Sequence, residues 1–377
     1  MRFMLSTIPV LATLLAVCQS AWGQTVPGYS PLSYNEFAPA FPVDNSYSAS
    51  PSAVEFHDVN SPSPVVSSYA AEDARLGLPT LFDVHHTNIF ADYLFLAPRD
   101  LDVAFATHVD GPVENAAPLG SPTVVAPDHD HGIRFGLGHT FTNCLRLSAT
   151  GWIYSNSWAD SLSLPANTGW IRSEVTHPST ASIANDSLNA RAEEDVEFVM
   201  GDLELEWLLH RSFSRSFTFH LGARYAELDQ DFHGDFLIDG PTDVDSAISY
   251  QGVGPRVGLE ITTMVKSGLI VYGEAFADVL FGHIDADYRQ QNAGAGTQFA
   301  AASGKEFRVV PQLEAELGIG WQNCDGSLIV RAGYFASFWL NVARTPSWIE
   351  SARIGPPSVT HETLIFDGLT ARAELRF

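Results

Sequence analysis

Gly252-Val253-Gly254-Pro255-Arg256-Val257-Gly258-Leu259-Glu260-Ile261 places an apolar residue at every odd position and glycine, arginine or glutamate at every even one. A period of two sends alternate side chains to opposite faces of an extended strand, so one face here is greasy and the other small or charged. The pattern repeats in both directions. Upstream, Ile133, Phe135, Leu137 and Phe141 alternate with Gly132, Arg134, Gly136, Gly138 and Thr140, and Phe217, Phe219, Leu221, Ala223 and Tyr225 with Thr218, His220, Gly222 and Arg224. Downstream, Val309, Pro311, Leu313, Ala315, Leu317, Ile319 and Trp321 oppose Arg308, Gln312, Glu314, Glu316 and Gly318, and Leu369, Ala371, Ala373, Leu375 and Phe377 oppose Thr370, Arg372, Glu374 and Arg376. A water-soluble sandwich also alternates, so the period alone leaves two architectures open.

Spacing separates them. Ten strand-like runs lie near 87–97, 130–142, 144–155, 193–209, 215–231, 246–262, 268–286, 305–321, 326–341 and 361–377. Short turns at 142–144, 210–214, 263–267 and 322–326 alternate with long connections at about 98–129, 156–192, 232–245, 287–304 and 342–360. An even set of antiparallel strands with short turns at one end and long loops at the other is the layout of a bacterial outer-membrane barrel with both termini in the periplasm. The expected fold is therefore all-β, an antiparallel transmembrane barrel of ten strands, or twelve if 101–109 pairs separately, spanning 85–377.

Lipid cannot satisfy an open sheet edge, so such strands close on themselves, with the apolar face outward and the polar face inward. On that inward phase lie Arg134, Arg146, Arg224, Arg256, Arg308, Arg331, Arg372 and Arg376, and with them Glu204, Glu206, Glu260, Glu274, Glu314, Glu316 and Glu374. These are the expected pore-lining residues; Asp202 and Asp278 share their phase. Near the short-turn end, Phe141, Trp207, Phe217, Trp321 and Phe377 sit at similar depth, as an interfacial aromatic girdle would.

The first 84 residues are a different material. Residues 1–23 carry Arg2, an apolar stretch from Leu5 to Val17 and the small residues of Ala21-Trp22-Gly23, the pattern of a secretory signal peptide. A lipoprotein cleavage before Cys18 is disfavoured by the bulky Val17. Residues 24–84 are rich in Pro and Ser without a sustained period, and are expected to form a flexible periplasmic extension, with an envelope partner for it left open. No later segment has the roughly 18 apolar residues of a membrane-spanning helix. The net charge of −24, with only two lysines in the chain, argues against nucleic acid as a partner.

Three stretches carry a family resemblance. They are Gly252 to Glu260, the run Leu221-Gly222-Ala223-Arg224-Tyr225-Ala226-Glu227-Leu228-Asp229, and Phe366-Asp367-Gly368-Leu369 with Arg372 to Phe377. Ala91-Asp92-Tyr93-Leu94-Phe95-Leu96 with Leu101-Asp102 adds a fourth. Over about 88–377 the chain resembles the Legionella-type major outer membrane protein family of pore-forming barrels, the Gly-Val-Gly-Pro-Arg-x-Gly-Leu core being its most specific part. The resemblance implies an outer-membrane pore with no catalytic residue to transfer, and the terminal Phe377 matches the signature read by the barrel-assembly machinery. The long extension departs from it.

Other chemistry is weaker. Asp128-His129-Asp130-His131 offers donors for a divalent cation, but no further ligand is fixed by spacing, and a solvated loop is the preferred reading. Cys144 and Cys324 fall in short turns nearly opposite across a ten-stranded barrel, too far apart to pair. His108, His177, His233 and His361 lie in or beside outer loops without a nucleophile at fixed spacing, so no enzyme is expected. Nor is a metal or cofactor. Acid dominates the loops, with Asp100, Asp102, Asp110, Glu114, Asp128 and Asp130 against Arg99 in one and five Asp from Asp231 to Asp245 in another, which favours at most mild cation preference. The expected function is passive diffusion of small hydrophilic solutes or ions across the outer membrane; a non-conducting adhesin or anchoring barrel is the alternative, a rim-site hydrolase a more remote one. Partners are outer-membrane lipid and solute, with self-association left open.

Overall fold

The computed structural model describes residues 86–377 apart from 112–115, 166–167, 179–187, 213, 238–240, 293–295 and 356. The leader over 1–23 and the extension over 24–84 lie outside the described residues. In chain order the elements are β1 (Thr87–Arg99), β2 (Val103–Val109), β3 (Thr123–Val125), β4 (Asp130–Thr142), β5 (Leu145–Leu164), β6 (Trp170–Ser173) and β7 (Leu188–Arg211), followed by β8 (Arg215–Leu237), β9 (Pro241–Lys266), β10 (Leu269–Asn292), β11 (Gln298–Gln322), β12 (Leu328–Val342), the helix α1 (Thr345–Ile354) and β13 (Glu362–Arg376). Ten of the strands close into an antiparallel barrel in the order β1-β13-β12-β11-β10-β9-β8-β7-β5-β4, with β1 hydrogen-bonded to both β13 and β4. Each of the ten runs read from the sequence falls on one of these strands.

Two expectations change. The option of twelve barrel strands fails because β2 pairs instead with β3 and β6 in a separate three-stranded sheet. The connections at 232–245 and 287–304 are mostly strand: β8 runs to Leu237 before β9 starts at Pro241, and β10 runs to Asn292 before β11 starts at Gln298. Strands β7 to β11 reach 23–26 residues, whereas about 9–11 tilted residues cross a bilayer. Their outer halves stand above the lipid, where the wall no longer needs an apolar face and the hydrophobic alternation that marks a strand in sequence disappears.

The polarity of the wall inverts at one height while the period of two runs on unbroken. On β8 the outward residues change from Leu221 and Tyr225 to Glu227, Asp229, Asp231, His233 and Asp235, and the inward ones from His220 and Arg224 to Ala226, Leu228, Phe232 and Phe236. On β7, outward Trp207 and Val199 give way to Glu197 and Asp195, while inward Glu206, Glu204 and Asp202 give way to Met200, Phe198 and Val196. The lower half is built like a membrane barrel and the upper half like a soluble one. The three-stranded sheet and α1 belong to the long-connection end: Leu101, Val103, Phe105, Val125, Ile171 and Trp348 join the same core cluster as lumenal Tyr154, Phe198 and Phe366.

Local chemistry fits this wall. At the β9–β10 turn Ser267 and Gly268 both have positive φ, 53° and 82°, the backbone of a two-residue hairpin whose twist matches its strands. Pro255, which has no N–H to give, falls where the β9–β10 ladder skips from Arg256–Asp278 to Val253–Phe281. There a Cβ on Gly254 would lie 1.8 Å from the Val279 carbonyl oxygen, so the neighbouring backbone admits only glycine. Phe141, Trp207, Trp321 and Phe377 are exposed near the short-turn end, at the depth expected of an aromatic belt.

Placing Leu259→Arg on the lipid-facing band is expected to cost about 2–4 kcal/mol, and Ser249→Arg, on the same outward phase above that band, less than about 1 kcal/mol. Urea unfolding of the barrel refolded in lipid vesicles measures both, and equal costs would contradict the placement of the lipid boundary.

Candidate functional site

All fifteen residues expected to line a pore face the lumen, but the structure places most of them in mutual contact and away from water. Strand register sets the pairs. Asp92 lies directly opposite Arg134 on one side and Arg372 on the other; Arg224 opposes Asp202, Arg256 opposes Asp278, and Arg146 opposes Glu206. Arg372 donates to both oxygens of Asp92 at 2.7 and 2.9 Å, while Arg134 pairs with the same carboxylate. Arg224, fully buried, forks onto Asp202 at 2.6 and 2.8 Å. Further pairs are Arg331 with Glu260 at 3.1 Å, Arg376 with Glu374 at 2.8 Å, and Arg146 with Glu206.

Other bonds cross the lumen. Arg224 reaches Glu314 at 2.5 Å, Arg256, besides its neighbour Asp278 at 2.7 Å, bonds Glu204 and Glu314 at 2.6 and 2.8 Å, and Arg134 on β4 reaches Glu316 on β11 at 2.9 Å. Aromatic faces cover the guanidiniums. Arg134 stacks on Trp152 at 4.4 Å, Arg256 on Phe276 at 3.9 Å, and Arg372 on Phe90 at 4.2 Å. Phe276 occupies the space a side chain at Gly258 would take, its ring only 2.2 Å from that position. A ten-stranded barrel is narrow enough for long side chains to meet in the middle.

Two of the fifteen depart from this pairing. Arg308 sits higher and donates to the carbonyls of Thr360 at 2.6 Å and Val359 at 3.1 Å, tying the β12–β13 connection to the wall. Glu274 lies directly opposite both Glu316 and Glu260, so three carboxylates form a row across β9, β10 and β11. With Asp92, Asp202 and Asp278 counted, carboxylates outnumber guanidiniums in this layer.

Within the lower part of the layer, toward the periplasmic mouth, a cavity of about 80 Å³ is lined by Asn88, Arg146, Glu206, Glu260, Arg331 and Arg376 among others. Above the layer the lumen is apolar. Leu94, Leu96, Tyr154, Trp339 and Phe366 are almost completely buried, and α1 adds Trp348 and Ile349. Buried among them is Glu194, whose carboxyl burial holds well above the usual range. The outer wall at this height is acidic instead. Asp195 faces Asp231, Glu197 faces Asp229, and Asp235 faces Asp243 across neighbouring strands. Burial and the charges of Asp229, Asp195 and Glu197 raise Asp231; burial and Asp235 raise Asp243. His233 is raised despite burial, because Asp245 at 2.7 Å and Asp235 at 3.2 Å hold its charged form.

The remaining sequence candidates do not converge. Asp128 and His129 are 3.4 Å apart, while His131 turns to Tyr93. His108 meets the Thr168 carbonyl and His361 meets Asn341. Cys144 and Cys324 are exposed free thiols. What the sequence reading passed over is His220, noted only for its phase: one donor atom from each of Glu204, Glu206 and His220 lies within 4.8 Å of the other two.

The family described as Legionella pneumophila major outer membrane protein precursor matches residues 85–376, and the chain belongs to it, an outer-membrane β-barrel resident in the outer membrane. No curated protein matches in sequence. Among solved structures it is similar to the outer membrane protease OmpT from Escherichia coli at 10% identity, covering 78% of this chain and 97% of that one with a TM-score of 0.45. A Pseudomonas aeruginosa FadL homologue shares 7% identity over 78% of this chain and 91% of its own at 0.24, and the P. putida toluene transporter TodX 10% over 81% and 94% at 0.20. At these levels the likenesses carry no argument about activity.

Arg224→Ala is expected to cost about 3–5 kcal/mol by leaving Asp202 buried without an arginine bonded to it and Glu314 with Arg256 alone, with Asp202→Asn added to it restoring part of the loss. Unfolding midpoints of the single and double variants check this. The raised carboxyls on the outer wall bind protons more readily in the folded barrel than in the unfolded chain, so the stability they contribute appears as pH falls through their folded values and is lost as pH rises. Asp231→Asn is therefore expected to raise the unfolding midpoint at pH 7 and to change it little at pH 4.

Proposed function

We propose that the protein is a porin-like outer-membrane transport barrel that is closed at rest, and that small hydrophilic solutes or ions pass only when the lumenal fill moves. The observation that carries this reading is the inversion of the membrane-spanning half, which points arginine and glutamate into a lumen with a cavity at its periplasmic mouth large enough for several waters. Membership of an outer-membrane family supports it. A wall that only anchors the chain in lipid has no need of an interior rich in charge, since burying ion pairs gains little stability over apolar packing.

Two obstacles stand in the path. The ion pairs that cross the lumen, Arg224–Glu314 and Arg134–Glu316, would have to part. So would the apolar seal of Trp339, Phe366 and Trp348 beneath the outer mouth. The excess of carboxylate in the lumen and on the outer wall favours cations mildly. A second reading, a non-conducting barrel that presents its outer surface or its extension to an envelope partner, is supported by the completeness of that seal. Outer-membrane lipid is the partner along the apolar band in either case.

Conductance in planar bilayers separates the two. Wild type is expected to give rare, brief openings, and Trp348→Ala with Ile349→Ala to raise their frequency several-fold, with reversal potentials on the cation side in a salt gradient. Silence from both proteins, with heat-modifiable migration showing both folded, would leave the anchoring reading.

A further inference from the structure

His220 is only 5% exposed, in the lower lumen. Its Nδ1 lies 3.0 Å from Glu204 Oε2, but Nε2 has no hydrogen-bond partner, and the nearest carboxylate oxygen paired with it, Glu260 Oε2, is 3.9 Å away. A buried ring nitrogen left this way is costly whether it carries a proton or a lone pair. The gap is too long for a hydrogen bond. It is close to the separation, roughly 3–4 Å, of two donors that each sit about 2.0–2.2 Å from one metal ion.

We propose that this cluster binds a divalent transition-metal ion, zinc by its donor chemistry, with His220 Nε2 as nitrogen donor, Glu260 Oε2 at 3.9 Å as one oxygen donor, and Glu206, which has a donor atom within 4.8 Å of one on His220, as the other. Glu204 holds the opposite ring nitrogen and fixes the tautomer, the role a carboxylate plays behind a zinc-bound imidazole. The topology brings these groups together: Glu206 and His220 are direct cross-strand partners on β7 and β8, with Glu204 two residues along and Glu260 inward on β9. Arg146 takes Glu206 Oε2 and Arg331 takes Glu260 Oε1, so each carboxylate keeps a second oxygen for the ion. Charge favours a cation as well, because the row Glu260–Glu274–Glu316 adds acid that the arginines of the layer do not match. A route exists from the periplasm, since Glu206, Thr218 and Glu260 line the cavity at that mouth. Binding releases the Nε2 proton wherever the imidazole is charged. The inference is independent of whether the lumen conducts.

The test uses untagged protein extracted from outer membranes, stripped with a chelator and titrated with zinc chloride in competition with a chromophoric chelator. One ion per chain is expected, with affinity at least about tenfold weaker in His220→Gln and unchanged when Asp128→Asn and His129→Gln remove the exposed pair. Loss of binding in the exposed-pair variant, or its persistence in a folded His220→Gln barrel, would overturn the proposal. Should His220→Gln fail to fold, X-ray absorption of the zinc-loaded wild type decides. One imidazole with oxygen neighbours supports the site, whereas sulfur neighbours would assign the ion to Cys144 or Cys324 and refute it.

Discussion

Hydrocarbon offers no hydrogen bonds to a backbone, and everything else in this protein follows from that. A sheet in lipid must leave no edge, so β1 closes onto both β4 and β13. Once closed, its two faces are built for different media: Leu259 and Ile261 are exposed on the outer face, while Arg256 and Glu260 on the same strand are turned onto the residues of other strands. The circumference of ten strands then decides what those inward residues can do. In a wider barrel they would line water; here guanidinium and carboxylate meet across the axis.

Burying so many charges is tolerable only because nearly every one is answered. Arg224 has Asp202 beside it by register and Glu314 across the lumen, and Asp92 accepts from an arginine on each flank. Such a network contributes modestly to stability compared with apolar packing, but each member is expensive to orphan, which makes it specific. It ties β4, β8 and β11 into one arrangement that only the correct register satisfies, because a slip of one residue would send every charge into lipid.

The barrel was legible in the sequence because period, strand spacing and turn length all reported the same constraint. Arg134 through Arg376 could be placed on the inward face from phase alone. Their pairing across the lumen could not, since β4 meets β11 only after closure and nothing local in Arg134 names Glu316 as its partner. The upper wall was missed for a related reason. Above the bilayer Asp229, Asp231 and Asp235 occupy outward positions that lipid would have kept apolar, so the greasy stripe used to recognise a strand ends while the strand continues. His220 stayed hidden because its chemistry lies in one unsatisfied nitrogen, a property of the packed lumen.

The exchange of polarity between Tyr225 and Glu227 on β8 also explains why the two ends of the lumen are sealed so differently. Below it, the outside is apolar, and the inward side chains that can be spared from lipid contact are the charged ones. Above it, the outside is water, and the chain can afford a conventional hydrophobic interior of Phe232, Trp339 and Phe366, over which α1 lays Trp348 and Ile349. An ionic layer can exchange partners with an entering ion and recover much of its energy. An apolar plug gains nothing from a hydrated solute, so any passage must begin by displacing it, and the energetic gate of such a barrel belongs at its outer mouth, not among the charges.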